Sequence, residues 1–323
     1  DQFMALLLRR VDELALSDEI VYRLLDLVSA VCQRSAYLSL LVQNPQATER
    51  MLELFTVSQR VARTVTRHPA LLDELIDPSL GARPPDENDI AAGLKQILAG
   101  NGDTETTLQE LNYFKQVIGL RIAVAVLQST IDAPGAMRTL GQLAESMVEV
   151  VLDLARVDME SRHGKLPGPG LTVIAYGSLG AGALGFDSDL DLIFLYQPTT
   201  ILSDGKRPVP AERFHTGVAR RLLSLLSAST PAGRLYSNDA RLRPNGRAGL
   251  LVSSLDAFSR YQAEEAWVWE LQALTRARPV AGNTEIGRRF TKIRHSVLTA
   301  SRDEHLIRKE IPAMRKRILD EHG

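Results

Sequence analysis

One cysteine, Cys32, is all that the 323-residue chain contains. With no second thiol, an intramolecular disulfide and a cysteine-based metal cluster are both excluded. That usage suits a reducing compartment, and the cytoplasm is the expected location. An excess of either charge is missing too, since 38 Lys+Arg stand against 39 Asp+Glu, a formal net charge of −1. This balance provides no global basic field, so no nucleic-acid partner is expected. The histidines His68, His163 and His215 lie far apart without ligand spacing, so no histidine-based zinc site is expected. The longest uncharged run, Leu166 to Phe186, holds Pro167, Pro169 and six glycines. In lipid those residues would leave backbone groups unpaired, so no membrane span is expected. Internal repeats and low-complexity tracts are also missing. The first residue is Asp1 rather than methionine, so the chain reads as a fragment whose targeting signals cannot be judged.

What is present is a globular composition, 45% hydrophobic and 24% charged, which excludes wholesale disorder. The length suffices for two cores of ordinary size. Residues 1–88 read as helix after helix: FMALLLRRVDELAL, VYRLLDLVSAVCQ and ATERMLELFTVSQRVARTV repeat apolar residues at three- and four-residue spacing. A short helix is predicted from Pro69, then a loop at DPSLGARPPDEN, which carries three prolines and a glycine. Residues 89–166 hold two long helices, about 103–130 and 136–162, divided by the turn Asp132-Ala133-Pro134-Gly135. Residues 167–282 change period. LTVIAYGS and LDLIFLYQ read as buried strands, a helix follows over 210–229, and RLYSNDARLR and GLLVSS read as two more strands. Helix returns through Glu264–Leu274, and 283–323 read as a helical tail in which Arg315-Lys316-Arg317 forms a solvated end. The expected class is α+β: a helical N-terminal block, a small mixed-sheet core and a helical C-terminal tail.

Gly180-Ala181-Gly182-Ala183-Leu184-Gly185 matches the dinucleotide-binding fingerprint GxGxxG. That chemistry needs a helix N-terminus directly after the glycines, to receive a pyrophosphate. Only Phe186, Asp187 and Ser188 separate the last glycine from the next strand, so the fingerprint fails in its context. A second reading starts at Gly177-Ser178, where backbone N–H groups and a hydroxyl can approach a phosphate. Next come Asp189 and Asp191 around Leu190, at the entry to a strand. Side chains alternate along a strand, so both carboxylates face one side and repel each other unless a cation lies between them. Magnesium suits hard oxygen ligands and nucleotide phosphates. Asp239, within RLYSNDARL, needs Arg241, Arg243 or a shared metal as partner. Beside the acidic pair, a three-carboxylate centre for two metal ions becomes the better reading. Asp189, Asp191 and Asp239 are therefore expected to converge. Arg241, Arg243, Arg276 and Arg278 suit the charge of a triphosphate, and each also has a surface or structural reading. Asp187 reads as loop, and Trp267 with Trp269 as packing rather than an adenine platform.

Gly-Ser, a spacer, Asp-x-Asp and a third acid on a neighbouring strand resemble the nucleotidyltransferase superfamily. More closely, AYGSLGAGALGFDSDLDLIFLY, DARLRPNGRAGLLVSSLDAFSRYQ and EEAWVWELQALTRARPVAG resemble successive blocks of glutamine synthetase adenylyltransferase. NYFKQVIGLRIAVAVL, GRAGLLVSS and EEAWVWELQAL are similar to that family's second, adenylylating half, and HPALLDELID to its helical entry. The resemblance implies transfer of AMP from ATP to a tyrosine of glutamine synthetase, with Mg2+ as cofactor. It implies Asp189, Asp191 and Asp239 as metal and catalytic residues and Gly177 and Ser178 on the phosphates. A PII-type nitrogen-signalling protein is implied as a further partner. Two departures stand out. The family pattern GKLGGxEL meets Ser178, Ala181 and Ala183 here, and the chain stops at Gly323, before the family's GGxxDIEF-type block and closing helical domain. A catalytically silent binding module and a phosphorolytic de-adenylylating enzyme remain as alternatives.

Overall fold

The computed structural model describes residues 2–32, 34–100, 102–301 and 312. The chain opens on helices α1 (Gln2–Glu13), α2 (Asp18–Val31), α3 (Ser35–Gln43), α4 (Pro45–Val57) and α5 (Gln59–Arg67). A 3-10 stretch, Pro69–Ile76, leads to α6 (Glu87–Ala99), α7 (Thr104–Leu127) and α8 (Ala133–His163). The apolar run expected as one helix over 47–65 is cut at Ser58, whose hydroxyl accepts from the Val61 N–H at 3.3 Å and starts α5. Such a cap satisfies one of the orphan donors of a helix start and outweighs a continuous apolar stripe. Asp86 and Asp89 form a capping box at the end of the proline-rich loop, and Asp103 caps α7.

After α8 come β1 (Leu171–Ala175), a single helical turn α9 (Gly177–Gly180) and β2 (Leu190–Tyr196). They are followed by α10 (Ala211–Ser227) and the two-residue strands β3 (Ser229–Thr230), β4 (Gly233–Arg234) and β5 (Asn238–Asp239). The described fold then runs through β6 (Val252–Ser254), α11 (Leu255–Glu264), α12 (Val268–Leu274), β7 (Arg278–Gly282) and α13 (Thr284–Thr299). The fold is α+β. The long strand expected over 234–243 is a correction: only Arg234, in β4, and Asn238–Asp239, in β5, pair, because Asp239 bonds back to Arg241 and turns the chain. The solvated helix end expected at 315–317 lies outside the described residues. Among the described residues no helix is long and apolar enough to cross a membrane.

The main sheet has the order β5-β2-β1-β7. β1 runs antiparallel to both β2 and β7, while β2 takes β5 and β6 in parallel along its other edge, β5 at its first residues and β6 at its last. Every β1 residue is buried and only Asp191 of β2 is not, so both faces are covered. The residues divide into two compact units, one reaching Thr139 together with Thr230–Gly233, the other holding Leu140–Ser229 and Arg234 onward. The first buries Leu24, Leu27, Met51, Phe55, Leu71 and Leu72 between helices. The second buries Ile174, Ile193, Leu195, Phe258 and Phe290 between sheet, α11 and α13. Each such side chain contributes about 1.5–3 kcal/mol.

His215 on α10 is buried against the rings of Tyr196, at 5.2 Å between centroids, and Phe214, at 5.7 Å. Burial pushes its imidazole down to about 4. An unfolded histidine titrates near 6.5, so between the two values the unfolded chain binds more protons. Stability is therefore full above pH ~6.5 and falls as pH drops towards 4, by an amount on the order of a few kcal/mol. His215→Leu should flatten the dependence of Tm on pH across that window. An unchanged slope would assign the titration to another group.

Candidate active site

β1 delivers the chain to Gly177, and α9 begins there. The Tyr176 N–H donates to the Asp191 carbonyl at 2.8 Å, extending the β1–β2 ladder to the turn's first residue. Gly177 has φ +57°, and a Cβ built there would overlap Asp191 Oδ2. Absence of a side chain is thus what allows the Asp191 carboxylate to lie against the turn. Gly180 has the opposite reason for being glycine: its added Cβ would strike the carbonyl groups of Arg276 and Ala175. No helix follows Gly185; a turn held by the Ser188 hydroxyl, which accepts from the Gly185 N–H at 3.0 Å, leads straight into β2. The helical turn precedes the fingerprint's spacer, so the dinucleotide geometry is absent here.

Asp191 and Asp239 are register partners on the parallel pair β2–β5. Partners in a ladder project to the same face, with strands about 4.8 Å apart. β5 is anchored twice: Leu190 N–H donates to the Ser237 carbonyl at 2.9 Å, and Asn238 Nδ2 to the Leu223 carbonyl on α10 at 3.1 Å. Asp189, exposed, lies one residue before β2. Burial pushes the half-buried Asp191 carboxyl above the usual carboxylate range, and the charges of Asp239 and then Asp189 push the same way. Arg241 opposes them.

Asp239 is held by its own loop. It accepts from the Arg241 N–H at 2.8 Å and from Arg241 Nε at 2.6 Å, and it pairs with the same guanidinium through Nη2. That contact keeps the guanidinium above its ordinary value. The three acids share a neighbourhood but not a closed cage: among the described residues no group of three His, Cys, Asp or Glu is gathered closely enough to hold an ion.

The other arginines differ in use. Arg243 straps its own loop, donating to the Ala240 carbonyl at 2.6 Å and the Gly249 carbonyl at 3.2 Å. Arg276 is exposed, and its carbonyl faces Gly180. Arg278 points away from the role expected for it: it donates to Glu145 on α8 and to the Leu179 and Gly180 carbonyls, at the far end of the turn from Asp191. Glu145 was invisible to sequence reasoning, because its i,i+4 spacing with Glu149 reads only as a solvated helix face. The strand β7 was missed too, hidden by Pro279 in an otherwise unremarkable run. The expectation that Trp267 packs is a correction: it is 59% exposed at the start of α12, where its N–H donates to Glu270 Oε2 at 3.3 Å. Asp187 lies in a turn, as expected.

These features define an α+β protein whose small sheet pairs acids from two strands and lays one of them, Asp191, against a glycine turn. The family model described as "Glutamate-ammonia ligase adenylyltransferase" matches residues 48–293. A Xanthomonas axonopodis pv. citri protein, named "Bifunctional glutamine synthetase adenylyltransferase/adenylyl-removing enzyme", is 41% identical over 320 residues, covering 98% of this chain and 34% of its own length. Proteins of the same name from Thioalkalivibrio sulfidiphilus and Pseudomonas syringae pv. tomato are each 39% identical over 100% of this chain and 34% of their own. The chain belongs to the glutamate-ammonia ligase adenylyltransferase family. It spans about a third of the length of the curated relatives it matches.

The two glycines should respond differently to alanine. Gly180→Ala drives a methyl into fixed backbone and should cost on the order of 2–3 kcal/mol, as overpacking does. Gly177→Ala meets only the end of a side chain, and its left-handed φ costs about 1–2 kcal/mol. Thermal melts should therefore rank Gly180→Ala as the less stable protein; the reverse order would remove the steric account of the turn.

Proposed function

We propose that this chain is a nucleotidyltransferase unit that moves AMP from ATP to a tyrosine of glutamine synthetase. The observation that carries the reading is Asp191, lodged against Gly177 and in register with Asp239, with its carboxyl pushed up by burial and by two neighbouring acids. Like charges crowded at a half-buried strand entry destabilise the protein unless a cation joins them. The donors are all carboxylate oxygens, the kind magnesium prefers, so the residues fit that ion. Asp189 and Asp191 would hold it, with Asp239 completing the set once Arg241 releases its carboxylate. When bound, magnesium lowers the pKa of a coordinated hydroxyl and offsets charge on transferring phosphate.

The chain's own groups do the rest. Gly177 and Ser178 open a helical turn whose first N–H groups lack intrahelical acceptors, and these suit the β- and γ-phosphates. Asp239, freed of Arg241, can take the proton of an incoming tyrosine hydroxyl, whose pKa near 10 makes it a weak nucleophile at neutral pH. Arg241 and Arg276, on the exposed side, are suited to the charge of the departing pyrophosphate. Arg243 supports the loop that carries Arg241. A PII-type nitrogen-signalling partner and a cytoplasmic location rest on the family resemblance and on the cysteine usage. A silent binding module is the second reading, favoured by Ala183 in place of the family's loop glutamate and by the Arg241–Asp239 pair. Removal of the AMP group, the adenylyl-removing activity of the relatives' printed name, would use the same acids.

The double replacement Asp189→Asn/Asp191→Asn separates these readings. In the enzyme it removes repulsion, so metal-free protein should melt no lower than the native protein, while stabilisation by Mg2+ and ATP disappears. AMP transfer to purified glutamine synthetase should fall by roughly 100-fold or more. A large loss of metal-free stability with the nucleotide response intact would end the catalytic assignment. Release of ADP from adenylylated glutamine synthetase in the presence of phosphate, without forward transfer, would instead assign the phosphorolytic activity.

A further inference from the structure

We propose that Glu145 and Arg278 form a positioning pair that sets the phosphate-binding turn, and this rests on the reading of Gly177 and Ser178 given above. Arg278 stands at the start of the edge strand β7 and engages all three of its guanidinium nitrogens. Nη1 donates to Glu145 Oε2 at 2.8 Å, Nη2 donates to Glu145 Oε1 and to the Leu179 carbonyl at 3.1 Å, and Nε donates to the Gly180 carbonyl at 3.1 Å. Four of the five N–H donors of an arginine are thus committed to protein. Glu145 holds the guanidinium above its ordinary value. One helical turn along α8, Glu149 Oε2 accepts from the Gly282 N–H at 2.8 Å, so the same face of α8 grips β7 at both ends. One turn earlier on that face lies Gly141, whose added Cβ would rest 3.8 Å from the Gly182 backbone. α8 therefore lies along β7 and beside the loop at Gly182.

The carbonyls that Arg278 takes are those at the C-terminal end of α9. Fixing them orients the turn, and with it the N–H groups at the opposite end beside Asp191. Arg278 acts through the turn and touches no phosphate itself. The planar fork matters: a lysine ammonium is one point and cannot bridge a carboxylate and two carbonyls in fixed directions.

The test is steady-state AMP transfer to glutamine synthetase by the full-length polypeptide, with ATP binding measured by calorimetry in Mg2+. Arg278→Ala, Arg278→Lys, Glu145→Gln and the double variant Glu145→Ala/Arg278→Ala are compared with the native protein. For a positioning pair, Arg278→Ala raises the KM for ATP about 10-fold or more while kcat changes less. Glu145→Gln moves KM in the same direction, lysine rescues poorly, and the double variant is little worse than Arg278→Ala. If Arg278 instead contacts the triphosphate directly, lysine rescues and Glu145→Gln leaves KM alone, which overturns the pair. Lowered Tm with KM and kcat both unchanged also overturns it, since the pair would then be structural only. Should Arg278→Ala fail to fold, Glu145→Gln and Arg278→Lys decide on the same readouts. Native protein that neither binds ATP nor transfers AMP overturns the site reading and the pair together, a result distinct from an unmoved KM in the variants.

Discussion

Crowding of carboxylates at one end of β2 is the constraint on which the rest of the second unit depends. Asp191 is the one residue of that strand left incompletely buried, and its register partner is another aspartate. Ladder geometry brings the two together whether or not their charges agree, because β5 is fixed by the Leu190–Ser237 and Asn238–Leu223 bonds. The repulsion is met locally. Arg241 reaches back onto Asp239, and Gly177 leaves space for the Asp191 carboxylate. A surface pair of this kind contributes little stability by itself. Its effect here is to hold a cationic group against the crowded carboxylates.

The glycine turn shows how the scaffold meets that acid pair. One glycine yields to a side chain, the other to backbone, and only the second, Gly180, belongs to the run that matches the dinucleotide fingerprint. The turn is supported from behind by β7 and α8, through Arg278 and Glu145. Charge on the two arginines nearest the turn is thereby divided: Arg276 stays outside, exposed, while Arg278 is built into the support.

Much of the fold could be read directly from residue order. Helical periodicity marked most of the N-terminal helices, and the β-branched runs LTVIA and LDLIFLY became β1 and β2. Family resemblance extended through residues for which the periodicity carried no chemical meaning. What failed were the elements whose identity is decided by single contacts. Ser58 splits one apolar run into two helices by capping, Asp239 ends a strand by bonding its neighbour, and Trp267 stands exposed where size alone argued for burial.

Local sequence by itself placed Asp189 and Asp191 at the entry to a buried strand, since the run LDLIFLY became β2. It also determined that no helix could follow Gly185, because three residues leave no room for one. Only tertiary structure decided that Asp239 lies beside Asp191, as this depends on which strand edge β5 occupies. The same holds for the arginines. Four guanidinium groups near an acid cluster are indistinguishable by residue type, and their separate uses follow from the partners that packing brings within hydrogen-bonding distance. For Arg278 that partner is Glu145, 133 residues earlier in the chain, a pairing no local pattern encodes because it exists only once α8 lies along β7.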